Sequence, residues 1–300
     1  MQPKIILHKD IDKTRWDHCV AASHNRLIYG FSWYLDVMAN NNWAGVVWGD
    51  YQAVMPLPVR KKYGIEYLYQ PAFTQQGGIF STLNDEIPFT KIVFQRYRFA
   101  EIALNYAHTL QHENFKITHR NNYVLSLDDY QQVCAGYKNV FLKNLKRASK
   151  QGFVYEQSDN YLGILNWFRT LYGERFPHIR QSDYKNLIDL CSLLNARHQL
   201  ICRMCKIDEE MHAAVILFAD GKRLYNIISC LSKQGRISQA NYFLYDRVFS
   251  EFSGKGFLFD FEGSDNPGIA SFYKSVSPVN EPYPFISFNR LPRLLRWLKE

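Results

Sequence analysis

The sequence predicts an α/β (α+β) chain built from two tandem αβ units. Three observations point there. The 300 residues exceed the usual size of one domain. Between Gln199 and Val276 the apolar periodicities and turn signals read β-β-β-α-β-α. The first half gives a similar series, β-β-β-α-β-β, without evident sequence identity to the second.

In the first half, a helical region carrying Phe31, Trp33 and Tyr34 ends over residues 36–40. Strands are predicted at Trp43–Trp48, 53–60 and 65–70, the first two joined by a Gly49-Asp50 turn. Pro88 opens a helix expected to reach Gln111, and strands at 116–119 and 123–127 close the half. The division is expected near residues 128–131, giving domains 1–129 and 130–300, the second binding the donor. Helices follow at 138–151, 161–176 and 182–196, with Gly152 as a C-terminal cap of the first and Ser182 as an N-cap of the last. Strands at 199–207 and 211–219 lead through the Asp220-Gly221 turn into a strand at 224–231, then a helix at 238–252, a strand in GFLFDFEGS and a short helix in NPGIASFYKSV.

The composition holds 21 Phe, 20 Tyr and 6 Trp, enough to bury a large core and to line a cleft with rings. The N-terminus lacks the uninterrupted apolar stretch of a signal peptide, and no run is long enough to cross a bilayer. Six scattered Cys fit reduced thiols, so a cytoplasmic protein is expected. A net charge of +8 favours anionic partners.

Several groups bear chemistry. In GFLFDFEGS, alternation puts Phe257, Phe259 and Phe261 on one face and Leu258, Asp260 and Glu262 on the other. Two carboxylates on one apolar strand repel each other and resist desolvation. That arrangement tunes a general base where the face lines a cleft. The structural alternative has one accepting backbone N–H bonds and the other pairing with Lys274 or an Arg. On the next helix, Tyr273 would donate a proton and Lys274 would hold a phosphate or stabilise an oxyanion; the plain alternative is a surface helix with a packed Tyr. The loop 232–238 leads into a helix whose N-terminal N–H groups would seat a pyrophosphate. Gly235 would admit the ligand to the backbone, Lys233 and Arg236 would add charge, and Ser238 with Gln239 would open the helix. Its alternative is a strand-to-helix turn capped by Ser238. Neither GxxxxGK[ST] nor GxGxxG occurs.

Lys143, Lys146, Arg147 and Lys150 form a basic stripe opposite Phe141, Leu145 and Ala148, either a solvated face or a contact for RNA or phosphate. His108 and His112 are spaced i, i+4 with no third ligand nearby and read as surface histidines, so no metal is expected. Cys202 and Cys205 lie in a strand and face opposite ways. The C-terminal LPRLLRWLKE is amphipathic, fitting a docked terminal helix or weak peripheral contact with a membrane.

The β-β-β-α-β-α order, the phosphate-sized loop and the acidic strand resemble the GNAT acyltransferase fold. Two such units in tandem resemble the Fem-type aminoacyltransferases, the FemAB family that includes FemX. The matching pieces are QPAFTQQGGIF, FLKNLKRASKQG, SQANYFLYDRVFSEFSGKGFLFDFEGS, GIASFYKSVSP and PYPFISF. The resemblance implies two GNAT-like domains, each a mixed, mostly antiparallel sheet flanked by helices. It implies transfer of an aminoacyl group from aminoacyl-tRNA to a cell-wall (peptidoglycan) precursor. Lys274 stands at the Lys of the family's Phe-Lys pair, with Tyr273 in place of the Phe, and Asp260, Glu262 and Gly263 match its strand-to-turn element. Ser277-Pro278 replace the Gly expected after that helix, and the glycine-rich loop of acetyl-CoA enzymes is missing. The expected function is acyl or aminoacyl transfer to an amine, with acyl-CoA or aminoacyl-tRNA as donor. Its rivals are an acyl-CoA-dependent acyltransferase of small molecules and a non-catalytic ligand-binding protein of the same fold.

Overall fold

Strands form where β-branched and aromatic residues alternate with polar ones, and helices where apolar residues recur every third or fourth position. In the computed structural model, which describes residues 2–83, 89–108, 115–263 and 265–292, fifteen such strands can be named. They are β1 (Lys4–Leu7), β2 (Trp43–Trp48), β3 (Ala53–Lys62), β4 (Ile65–Leu68), β5 (Phe80–Ser81), β6 (Phe99–Ala103), β7 (Lys116–Arg120), β8 (Tyr123–Ser126), β9 (Val154–Gln157), β10 (Leu200–Ile207), β11 (Glu210–Ala219), β12 (Arg223–Leu231), β13 (Leu258–Asp260), β14 (Val279–Asn280) and β15 (Tyr283–Asn289). The helices are α1 (Lys13–Ala22), α2 (Ser32–Met38), α3 (Phe89–Arg96), α4 (Tyr130–Ala135), α5 (Asn139–Ala148), α6 (Tyr161–Tyr172), α7 (Gln181–Ala196), α8 (Lys233–Ile237), α9 (Ala240–Phe252) and α10 (Pro267–Lys274).

Two units result: Met1–Arg120 with Pro282–Glu300, and Asn121–Glu281. The first holds a sheet in the order β1-β2-β3-β4-β6-β15-β7, with β5 beside β3. The second holds β14-β8-β13-β12-β11-β10-β9. Each sheet is mixed and mostly antiparallel and is flanked by helices. In the first, β4 and β6 run parallel, and in the second β12 and β13 do.

Three expectations change. The division at 129/130 gives way to a chain that returns: β15 pairs with both β6 and β7, so the 282–288 segment belongs to the first sheet. The two strands expected to close the first half part company, β7 lying in the first sheet and β8 in the second. The helix expected from Pro88 stops at Arg96, and Phe99–Ala103 is strand β6. Its partner lies about 190 residues away in sequence, where local periodicity carries no signal. The amphipathic C-terminal segment lies outside the described residues beyond Pro292.

His108 is half-buried rather than a surface residue, and its Nε2 accepts the Ile79 N–H at 2.8 Å. His112 lies outside the described residues. Burial depresses the His108 pKa from 6.5 to about 4. The unfolded chain therefore takes up this proton first, and the stabilisation present above pH 6.5 fades as pH falls through about 4. His108→Gln is expected to remove roughly 3 kcal/mol of acid sensitivity over that window, read from urea midpoints at several pH values.

Candidate active site

The second unit contains a split in its sheet. β12 has nine residues, yet it pairs with β13 only through Arg223↔Leu258, Leu224↔Phe259 and Tyr225↔Asp260. Beyond Tyr225 its β13-facing edge has no strand partner among the described residues. Polar side chains gather along this opening. Asn226 is buried, and its Nδ2 donates to the Tyr245 hydroxyl at 2.7 Å. That hydroxyl lies 3.3 Å from Ser229 Oγ. Asn226 Oδ1 has no hydrogen-bond partner among the described residues. Farther along, the Tyr172 hydroxyl both donates to the Leu231 carbonyl at 3.2 Å and accepts the Leu231 N–H at 3.1 Å. Burial pushes Tyr245 up to about 12, so it is a neutral hydroxyl at physiological pH.

The first unit closes the corresponding opening with its own chain. β4 and β6 pair only at Leu68↔Ala100. Next along β6, the Ala103 N–H donates to Gln70 Oε1 at 2.9 Å, and the Ala103 carbonyl accepts the Gly77 N–H at 3.0 Å. The Tyr106 N–H then donates to Gln76 Oε1, a fully buried amide, at 2.9 Å. The QPAFTQQGG segment thus occupies the edge of β6, whereas in the second unit no backbone segment among the described residues pairs with the β12 edge beyond Tyr225, which only the Tyr172 hydroxyl meets, at Leu231.

Asp260 and Glu262 do not share a strand face. The strand ends at Asp260, and Glu262 and Gly263 turn through left-handed conformations at φ 61° and 69°. Asp260 is 1% exposed and meets Arg223 Nη1 at 2.7 Å. The same Nη1 lies 2.9 Å from Glu281. Asp260 Oδ1 accepts the Glu262 N–H at 2.9 Å, and Oδ2 also accepts from Asn122 Nδ2 at 3.3 Å. Asn122 Oδ1 in turn accepts the Gly263 N–H at 2.8 Å. Asp260 is therefore enclosed by donors and fixes the turn that carries Glu262. Burial opposes the Arg223 charge, but Asp260 and Glu281 outweigh it and raise the guanidinium pKa. Burial pushes the Glu281 carboxyl above its ordinary range despite Arg223.

Tyr273 is buried, and its ring lies 4.5 Å from that of Phe261. Burial, then the charge fields of Tyr245, Glu262 and Asp260, push its hydroxyl well above the usual range. Lys274 is exposed at the end of α10, with Nζ 5.6 Å from the centre of the Tyr123 ring. Asn266 starts that helix, its Oδ1 accepting the Gly268 N–H at 3.0 Å, ahead of Pro267 at the first turn.

The expected pyrophosphate loop is a turn of helix with its own internal bonds. Ser232 caps α8 by accepting the Gly235 N–H at 2.8 Å. Gly235 is buried, and a Cβ there would collide with the His212 carbonyl, so this glycine serves chain packing rather than ligand approach. Ser238 donates to the Gln234 carbonyl at 2.8 Å and does not begin α9. Gln239 does, at φ 63° and without a side-chain cap, its Nε2 donating to the Arg236 carbonyl at 2.9 Å. Lys233 and Arg236 are exposed beside it. Gly235→Ala is expected to cost about 1–3 kcal/mol by forcing α8 off β11, read as a lower urea midpoint.

Sequence reasoning missed Arg223, Glu281, Asn122, Asn226 and Tyr245. Each lies in an otherwise ordinary strand, loop or helix pattern, and only the fold brings them together. Among the described residues, no group of three His, Cys, Asp or Glu side chains is placed to hold a metal ion. Burial raises the Cys202 and Cys205 thiols to about 12, which leaves them unreactive. No helix among the described residues is long and apolar enough to cross a membrane.

Compared with protein-family models and with curated proteins, the chain matches none. Solved structures do match. FemX superposes with a TM-score of 0.65 at 12% identity, covering 100% of both chains. L-PGS from Bacillus licheniformis gives 0.54 at 13% identity, covering 94% of this chain and 93% of its own. A tandem GNAT protein from the clavulanic acid biosynthesis pathway gives 0.53 at 8% identity, covering 97% and 99%. The chain therefore has the tandem GNAT-like fold that FemX also has.

Proposed function

We propose that this chain is an N-acyltransferase that moves an acyl or aminoacyl group from an activated ester or thioester to an amine. The observation that carries the proposal is the polar split between β12 and β13, open in the second unit and plugged in the first. The donor's acyl end lies along the free edge of β12, near Asn226 and Tyr245. The uncapped start of α9, with Lys233 and Arg236 beside it, faces the donor's phosphates.

The acceptor amine attacks the donor carbonyl. Glu262 takes the proton the amine loses, which its placement on a turn pinned by Asp260 and Asn122 serves. The oxyanion is stabilised by N–H groups on the free edge of β12 or by Lys274. As the tetrahedral adduct collapses, the carbonyl–oxygen or carbonyl–sulfur bond breaks, and Tyr273 donates its proton to the departing hydroxyl or thiol. Asp260 positions the turn and takes no proton. An aminoacyl-tRNA donor and a cell-wall peptide acceptor fit this chemistry, and so does acyl-CoA with a small amine.

The test couples mass spectrometry of ligands retained through native purification with transfer assays using acetyl-CoA and aminoacyl-tRNA and a panel of amine acceptors, muropeptides included. An acylated acceptor formed by the wild type and lost in Glu262→Gln supports the proposal. No product with either donor class, and neither class bound, overturns it.

A further inference from the structure

We infer that a notch at the edge of the second unit's sheet binds an extended, positively charged peptide segment of a partner protein by adding it to β8. The notch is a cavity of about 210 Å³, and the proposed transfer reaction makes no use of it. Its floor is apolar: Val124, Leu125, Val133 and Val276 line it and are all buried. Its rim is polar and exposed, with Asp128, Asp129 and Gln132 from one segment and Ser277 from another.

The notch exists because one strand stops short. The Phe261 N–H donates to the Tyr123 carbonyl at 3.0 Å, and the Leu127 N–H donates to the Phe257 carbonyl at 3.0 Å. Tyr123, Leu125 and Leu127 therefore turn their main-chain groups toward β13, and Asn122, Val124 and Ser126 turn theirs to the opposite edge. On that edge the Asn122 carbonyl accepts the Glu281 N–H at 2.7 Å, and Val124 pairs with Val279. Continued by two residues, the same register would set Ser277 against Ser126. Ser277 stands at φ 53° instead, outside the extended region, and β14 begins only at Val279. Ser126 is left exposed, with no strand partner on that side among the described residues.

Charge and size set the occupant. From Asn121 to Tyr137 the chain carries Asp128 and Asp129 and no cation. Both carboxylates are exposed, and neither has an ion-pair partner among the described residues. Lys255 follows the Gly254 whose N–H meets the Leu127 carbonyl, yet its Nζ lies 5.0 Å from the centre of the Phe252 ring rather than on either acid. The notch therefore attracts a Lys or Arg and repels anions, although the whole chain stands at +8. The cavity is smaller than the roughly 300–1,000 Å³ of a small-molecule site, so it takes one side chain rather than a whole ligand. The Ser126 main chain supplies the donor and acceptor that an added strand needs. Alternate side chains of that strand share one face. One basic residue lays its aliphatic stem on the apolar floor and its charge against the rim carboxylates. An apolar neighbour covers Val279, which is 68% exposed.

The experiment is fluorescence anisotropy of the full chain with a labelled Val-Arg-Val-Lys-Val peptide and its Val-Glu-Val-Glu-Val counterpart. The basic peptide is expected to bind and the acidic one not to. Asp128→Asn/Asp129→Asn is expected to weaken binding at least about tenfold. Asparagine still caps α4 at position 129, so the helix is kept. Glu209→Gln/Glu210→Gln removes the same charge from exposed positions of the same unit and is expected to leave binding within about twofold. Hydrogen exchange at the Ser126 amide is expected to slow in the complex. Equal losses in both variants, or equal binding of the two peptides, would overturn the inference. So would binding that leaves Ser126 exchanging as in the free chain. Failure of the basic peptide to bind would overturn it as well, and spermine bound in an Asp128- and Asp129-dependent way would then assign the notch to a polyamine. Acyl transfer is expected to be unchanged in Asp128→Asn/Asp129→Asn, so the outcome here is separate from that of the transferase proposal.

Discussion

Arg223→Ala is expected to lower the unfolding free energy by about 3–5 kcal/mol. The substitution strands Asp260, which is 1% exposed, and Glu281, which is 19% exposed, as two neighbouring negative charges with no cation between them. Asn122 and the Glu262 N–H still reach Asp260, but neutral donors do not cancel a buried charge. Exchanging all three charges for neutral shapes, Arg223→Met with Asp260→Asn and Glu281→Gln, is expected to cost far less than the single change, because no charge is left uncompensated. Urea midpoints and slopes of the wild type, the single variant and the triple variant measure this directly. An Arg223→Ala variant within 1 kcal/mol of wild type would show that the cluster does not hold this part of the sheet together.

The second large effect falls on rate. Glu262→Gln is expected to slow single-turnover transfer by about 10²–10⁴-fold with the urea midpoint nearly unchanged, since the amide fills the same space but takes no proton. The acid limb of the wild-type pH–rate profile is expected to vanish with it. Glu262→Gly supplies the complementary test. A non-glycine residue at φ 61° is strained, so glycine relieves the backbone while deleting the base. That variant is expected to be at least as stable as wild type and inactive. Full activity in either variant would remove Glu262 from the proton transfer.

Most of the second unit was legible in its sequence because its signals are local. Strands β10 to β12, helix α9 and the aromatic strand β13 each announce themselves within a dozen residues, and the Asp220-Gly221 turn links two of them. Phe259 and Phe261 point into the core as their alternation requires. What local patterns misjudged was where regular structure ends. GFLFDFEGS alternates through Glu262, yet the strand stops at Asp260, because the Asp260 carboxylate bonds the Glu262 N–H and bends the chain. Gly235 reads in sequence as room for a ligand, and the fold fills that room with the His212 carbonyl. Non-local pairing was hidden for a different reason. β15 enters the first sheet between β6 and β7, both more than 160 residues upstream, and nothing in PYPFISF names that partner. The Asn226–Tyr245–Ser229 group was invisible for the same reason: three ordinary polar residues on a strand and a helix are joined by hydrogen bonds only in the fold, where the β12–β13 pairing ends beside them.

The central claim is that the free edge of β12 seats the acyl donor. Hydrogen–deuterium exchange of the intact chain, with and without acetyl-CoA and with and without aminoacyl-tRNA, measures it most directly. Slowed exchange over residues 226–230 and the first turn of α9 with the donor that supports transfer is the predicted result. Transfer that proceeds while those amides exchange as in the free protein would contradict it.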